Sequence, residues 1–385
     1  MENRVPRRLD GRTSALLALV GATLLAVPGT LSAQGQCKGR PAANTPACDT
    51  TPAKAPFAPT GWKTVALDHF SMQTVDYEKD VAYYDALMNW KLRSDDGTKA
   101  VMDIGDIGTV IMRGGYVAPP PPPPRVPTAA DSAAGRAGGA ARGAGRGGQG
   151  GPRTPVEEVW DSFAWQISPW DAKKVKAELE KRGLNPVEDN DKAMGCESFH
   201  VKDPDGFDVQ LTNGCYAKAR KANAGKPGMT PKAPSPFEHT NWKTVWLDHI
   251  SFGVTNYKES VAWYQALLGW MPQGDEGSQN ETWMCEDCGN ILIRGGNPMN
   301  TARPMPAVRR ASMGHISFGF EPFQWLDVAV QLKKRGLTAR EDTGDPAGIL
   351  KIGDEKAYYK SYHTTTPQGF DLQISNATKA NRTVR

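Results

Sequence analysis

This chain has few of the residues that catalytic sites most often use. Of its 385 residues, six are histidine and six are cysteine. It contains no Gly-x-Ser-x-Gly elbow, no His-Glu-x-x-His helix and no phosphate-cradling glycine loop after a strand. Those absences exclude the common serine-hydrolase, zinc-protease and nucleotide-binding designs. A basic face is missing as well. The formal net charge is +4, but residues 116–154 hold five Arg against one Asp, and residues 1–33 hold four Arg against two acids; the remainder carries −2. That balance gives nucleic acid nothing to bind. One apolar run stands out, Ala15 to Val27, and it is too short to anchor in a bilayer.

Arg4, Arg7, Arg8 and Arg12 precede that run and Leu31-Ser32-Ala33 follows it. The pattern predicts a secretory signal peptide over residues 1–33, and hence a periplasmic or extracellular protein. Residues 34–61, rich in Pro, Ala and Thr, predict a disordered tether. Residues 116–154 run from Pro119–Pro124 into a Gly/Ala/Arg tract. Such a segment cannot bury enough apolar surface to offset its ordering entropy, so it is a loop insertion. Residues 217–241 read as the interdomain linker and residues 378–385 as a tail. The cysteines fall in three local pairs: Cys37 with Cys48, Cys196 with Cys215, Cys285 with Cys288. Export favours bridges. The Cys285-x-x-Cys288 spacing lacks the second pair of ligands that a structural zinc needs.

What the chain does have is repetition. Trp62-Lys63-Thr64-Val65-Ala66-Leu67-Asp68-His69-Phe70-Ser71 returns 180 positions later as Trp242-Lys243-Thr244-Val245-Trp246-Leu247-Asp248-His249-Ile250-Ser251. A second pair of repeats joins Lys181-Arg182-Gly183-Leu184 to Lys334-Arg335-Gly336-Leu337, and Pro204-Asp205-Gly206-Phe207 to Pro367-Gln368-Gly369-Phe370. The order is A-B-A′-B′, which sets two domains, residues 62–216 and 242–377. Within a unit, alternation over Thr244–Val254 predicts a strand, and Val261, Tyr264, Leu267 and Leu268 lie at helical spacing with Gly269 as the stop. Short strands follow at Thr282–Cys285 and Asn290–Arg294. Unit B′ repeats the plan with a strand over His315–Phe320, a helix over Pro322–Arg335 and strands over Tyr358–Thr364 and Phe370–Ile374. The expected class is α+β: four β-α-β-β-β modules paired into two cupped mixed sheets.

Paired modules of this kind, with Asp248-His249-Ile250-Ser251 and Gly314-His315-Ile316-Ser317 on their first strands and Asp203-Pro204-Asp205-Gly206-Phe207 leading to Gln210, resemble the vicinal oxygen chelate superfamily. That group includes glyoxalase I, the bleomycin-resistance proteins and the extradiol dioxygenases. The resemblance implies a site inside each cup, with ligands from the first and last strands of each module. In the second domain the matching positions are His249, Leu292, His315 and Gln373. In the first they are His69, Ile111, Ser162 and Gln210. It further implies a divalent metal (Fe, Zn, Mn or Ni) in the second domain on His249, His315 and Gln373, where Gln373 stands in the place of the dioxygenases' glutamate.

The residues add to this independently of the resemblance. His363 lies ten positions before Gln373, and His200 ten before Gln210, so each pair shares one face across a hairpin. Taken with the resemblance, that face implies His363 as the fourth ligand or general base, and His69, His200 and Gln210 as substrate-binding residues. Asp68 and Asp248 fall on the opposite strand face from their histidine neighbours, so they are expected to bond a turn. The functional expectation is a lyase, isomerase or ring-cleaving dioxygenase acting on a small oxygen-bearing organic molecule, and a homodimer is compatible with it. The alternative is a non-catalytic small-molecule binder.

Overall fold

Alternating apolar residues from Lys63 onward make the first strand, and the repeat then builds the same module four times. The first domain runs β1 (Lys63–Thr74), α1 (Tyr77–Met88), β2 (Lys91–Asp95), β3 (Lys99–Ile104), β4 (Gly108–Arg113), β5 (Glu158–Ser168), α2 (Ala172–Lys181), β6 (Val187–Glu188), β7 (Ser198–Lys202), β8 (Asp208–Thr212) and α3 (Cys215–Ala222). The second runs β9 (Lys243–Asn256), α4 (Tyr257–Leu268), β10 (Met271–Asp275), β11 (Gln279–Trp283), β12 (Asn290–Gly296), β13 (Ser312–Glu321), α5 (Trp325–Lys334), β14 (Arg340–Asp342), β15 (Ser361–Thr365), β16 (Asp371–Ser375) and α6 (Lys379–Arg382). This computed structural model describes residues 52–117, 156–275, 279–296, 311–342 and 359–382. The expected signal peptide, the Cys37–Cys48 pair and nearly all of the 116–154 insertion lie outside them.

Each domain is one eight-stranded mixed sheet, in the orders β2-β3-β4-β1-β5-β8-β7-β6 and β10-β11-β12-β9-β13-β16-β15-β14. The α+β class and the four modules are as the repeat predicts. The helices begin and end where local chemistry requires. Asp76 and Asn256 accept backbone N–H bonds as N-caps, and Gly269 closes α4 at φ +70°. A methyl group on Gly269 would sit 2.6 Å from the Trp62 carbonyl of the other domain, so only glycine fits that approach. Two expectations shift. The helix over 322–335 starts at Trp325, and Cys285 lies in a turn rather than a strand, bonded to Cys288. The Cys196–Cys215 bridge is also present.

The core lies between the domains and follows the repeat. Tyr84 stacks on Trp90 with ring centroids 4.5 Å apart, and that pair meets Phe318 of β13. Tyr264 stacks on Trp270 at 4.8 Å, and that pair meets Phe163 and Trp165 of β5. Each domain's first module therefore packs on the other domain's second module.

Residues 52–61 differ from a disordered tether. Thr60 Oγ1 donates to the Leu267 carbonyl at 2.8 Å, Phe57 packs edge-on against Trp263, and Arg182 donates to the carbonyls of Ala58 and Pro59. The segment before Trp242 does the same in reverse. Thr240 Oγ1 donates to Leu87 O at 2.6 Å, Phe237 packs on Tyr83, and Arg335 donates to Glu238 O and His239 O. The first residues of the linker belong to α3, whose Arg220 reaches the carbonyls of Leu67 and Asp68. No helix among the described residues is long and apolar enough to cross a membrane.

Candidate metal centre

Strand pairing lays the candidate residues in rows. In the second sheet Asn290, His249, Ser317, Gln373, His363 and Arg340 are successive cross-strand partners. His315 lies on the neighbouring row with Ser251 and Asp371. Paired residues share a face. The alternate residues Ile250, Phe252, Ile316, Phe318, Leu372 and Ile374 are fully buried in the core. The polar row therefore lies on the face away from the core.

A β-bulge shapes this row. Leu247 pairs with Phe318 and His249 with Ser317, so Asp248 is an extra residue with no partner of its own. The first sheet repeats it: Leu67 pairs with Trp165, His69 with Ala164, and Asp68 is extra. A bulge cancels the simple alternation of faces. Asp248 and Asp68 thus face their own histidines. Asp248 Oδ2 lies 2.8 Å from His249 Nδ1, and Asp68 Oδ2 lies 3.2 Å from His69 Nδ1. The expectation that they face away from their histidines is corrected, because it assumed a regular strand.

With Nδ1 on a carboxylate, His249 turns Nε2 toward the site, where it lies 3.0 Å from Nε2 of His315. Burial, then the charges of His249, His363, Arg294 and Arg340, hold the His315 pKa well below its ordinary value, so that ring is neutral near pH 7. Two imidazole nitrogens this close need either a proton or a cation between them. Metal–imidazole bonds of about 2.0–2.1 Å at a right angle separate two nitrogens by about 3 Å. Gln373 adds an oxygen. Its amide nitrogen donates to Ser361 Oγ at 2.8 Å, while its Oε1 is buried without a partner. An orphaned buried acceptor in the row of His249, next to that of His315, suits a cation ligand. The donors present (two imidazoles and a neutral oxygen) fit a divalent transition metal.

His363 stands between two carboxylates beside His315. Asp371 Oδ1 lies 2.8 Å from its Nδ1, and Asp342 Oδ2 lies 3.3 Å from its Nε2. Burial disfavours its charge, but these two carboxylates outweigh burial and raise its pKa. Each nitrogen thus faces a carboxylate, and the ring stands 5.0 Å from that of His315. Ligand atoms of His315, His363 and Asp371 lie within 4.8 Å of one another. Asp371 was not among the sequence candidates. Its signal was available, since it lies two positions before Gln373 on the same strand face.

In the first sheet His69, Ala164, Gln210 and His200 share a row. His200 is bracketed in the same manner, by Asp208 at 2.9 Å and Asp189 at 3.2 Å, and its pKa is likewise raised against the opposing effect of burial. Gln210 donates to Ser198 Oγ. Ser162 takes the position that His315 holds in the second sheet. Tyr216 of α3 lies edge-on over the His69 ring at 4.8 Å. His239, the sixth histidine, borders a cleft of about 580 Å³ beneath linker residues Pro227–Ser235, away from both rows.

Residues 66–211 match the model of the Glyoxalase/Bleomycin resistance protein/Dioxygenase superfamily. No curated protein matches the chain in sequence. Among solved structures, the Mn(II)-bound glyoxalase from Novosphingobium aromaticivorans is 14% identical, with 82% of each chain covered and a TM-score of 0.49. A catechol 2,3-dioxygenase is 10% identical over 81% of this chain and 88% of that one, with a TM-score of 0.47. An extradiol ring-cleaving dioxygenase from B. fuscum is 13% identical over 87% and 75%, with a TM-score of 0.47. Over residues 66–211 the chain is thus similar to that superfamily, and the same module plan recurs through both sheets.

Proposed function

We propose that this is an exported protein that holds one divalent metal in its second domain, on His249 Nε2, His315 Nε2 and Gln373 Oε1, and acts on a small oxygen-bearing organic molecule. The observation that carries this reading is the 3.0 Å approach of the two Nε2 atoms. A divalent cation there would bind neighbouring oxygens of the substrate and polarise them as a Lewis acid. The residues of the chain do the rest. Asp248 holds the His249 ring, burial keeps His315 neutral, and Gln373 offers a neutral oxygen where a carboxylate would add charge. His363, with a carboxylate on each nitrogen beside the ligands, is the fourth ligand or the group that moves a proton. The reactions this suits are a lyase or isomerase step, or ring cleavage if the metal is iron.

In the first cup, His69, His200 and Gln210 line a parallel row but lack the second imidazole. They serve substrate or structure there, not a metal. The test is metal content of the purified protein beside His249→Ala and His315→Ala. Loss of metal in both variants is expected, and unchanged content in both would end the reading. Gln373 in place of a glutamate favours a second reading, a non-catalytic binder. Thermal stabilisation by small aromatic diols that persists in a chelator would select it.

A further inference from the structure

We propose that Asp248 is a positioning residue of the metal centre, with Tyr359 as its support: it fixes His249 as the Nδ1–H tautomer, so that the Nε2 lone pair points at His315. The inference rests on the metal-centre reading above for its purpose, but not for its geometry.

Three observations carry it. The bulge makes Asp248 the extra residue between Leu247 and His249, which brings its carboxylate to the side of its own neighbour. The carboxylate is fully enclosed, at 2% exposure, and its Oδ2 lies 2.8 Å from His249 Nδ1. Tyr359 then donates its hydroxyl to the same Oδ2 at 2.9 Å and lies 3.2 Å from Ser317 Oγ, the residue paired with His249 across the sheet. A carboxylate only accepts, so the proton of the neutral ring must sit on Nδ1. The remaining nitrogen, Nε2, then keeps its lone pair. A metal-ligating histidine generally has such an outer partner, and losing it costs about 10–100-fold in metal affinity.

The first sheet shows that the bulged Asp–His pair is a built feature of the module. Asp68 takes the same position against His69, with the Ala217 N–H at 2.9 Å in place of the tyrosine. There the ring is covered by Tyr216. In the second sheet the position equivalent to Tyr216 is Lys379, which pairs with Asp287 instead. The same clamp therefore serves a covered imidazole in one domain and a ligand in the other.

The experiment uses the full chain stripped of metal. Nitrogen-15 long-range spectra of the imidazoles, with His249 assigned by its loss in His249→Ala, read the tautomer directly. The wild type is expected to show the Nδ1–H form. Asp248→Ala is expected to lose it and to bind Mn²⁺ about 10–100-fold more weakly in a competitive chelator titration, with an unchanged circular dichroism spectrum. Tyr359→Phe is expected to shift both readings in the same direction and by less, and it carries the test if Asp248→Ala does not fold. An unchanged tautomer in the folded variant overturns the proposal. A wild type with the Nδ1–H tautomer but no Mn²⁺ uptake would overturn the metal reading and leave the positioning role standing.

Discussion

Trp90 donates its indole N–H to Thr244 Oγ1 at 2.9 Å, across the domain boundary. The repeat returns the bond in the other direction: Trp270 donates to Thr64 Oγ1 at 3.0 Å. All four residues are buried. Replacing either tryptophan by phenylalanine leaves a buried hydroxyl with one partner fewer and a small void. We expect each single variant to lose about 1–3 kcal/mol. Chemical denaturation monitored by fluorescence and circular dichroism together measures it. Because both domains share this core, the two probes should report one transition in the variants as in the wild type.

The loop before β12 sets the position of the bulge. A side chain on Gly289 would overlap the carbonyl oxygens of Leu247 and Asp248. Gly289→Ala must therefore push the backbone that carries the Asp248–His249 pair. Overpacking of this kind costs about 1–3 kcal/mol. We expect a lower melting temperature and a metal affinity reduced by about tenfold, read by the same chelator titration. Gly274→Ala, at a position where nothing lies within 4 Å, is the control and should leave metal affinity unchanged.

Two buried carboxyls give the fold a pH dependence unrelated to the histidines. Burial, followed by the charge of Glu158, pushes Asp80 up to about 8, against a bond from Thr74. Burial pushes Glu158 up to about 7, against bonds from Thr366 and Trp160. Their unfolded values lie near 4. The folded state thus binds protons more tightly, and its stability falls as pH rises from about 4 to about 8. Asp80→Asn removes a titrating group while keeping the shape, so the slope of melting temperature against pH between 5 and 8 should flatten. A slope as steep as that of the wild type would refute the assignment.

The amide at Gln373 is the weakest member of the proposed donor set. Gln373→Glu places a carboxylate at a buried position, 1% exposed, and removes the donor to Ser361. Without metal this should cost about 1–3 kcal/mol. With a divalent cation the new charge has its partner, and affinity should rise at least tenfold. Paired melting curves with Mn²⁺ and with a chelator give both numbers. A variant less stable in both conditions would remove Gln373 from the donor set.

The first-domain site was as legible as the second up to a point. His69, Gln210 and His200 fall in one row because the hairpin spacing and the alternation of strands hold there. The bracket around each outer histidine was not legible. Asp342 reaches His363 from an edge strand 21 residues away, and Asp189 reaches His200 across 11. No local pattern marks such a partner. The arms before Trp62 and Trp242 did carry a signal. Pro56-Phe57 and Thr60 match Pro236-Phe237 and Thr240 at the same shift of 180, so the repeat begins earlier than its most conspicuous part. Composition rich in Pro and Thr hid it, because composition says nothing about what a segment packs against.

Sequence alone determined the doubled plan, the four modules and the strands that bear His249, His315, His363 and Gln373. Period and alternation are local properties of the backbone, and a repeat states them twice. Tertiary structure decided which of those side chains are free to act. It placed Asp248 beside His249 through a bulge, bonded both nitrogens of His363 and left Gln373 Oε1 without a partner. Each of those outcomes depends on how a strand pairs with its neighbours, and which strands meet is settled only when the sheet closes.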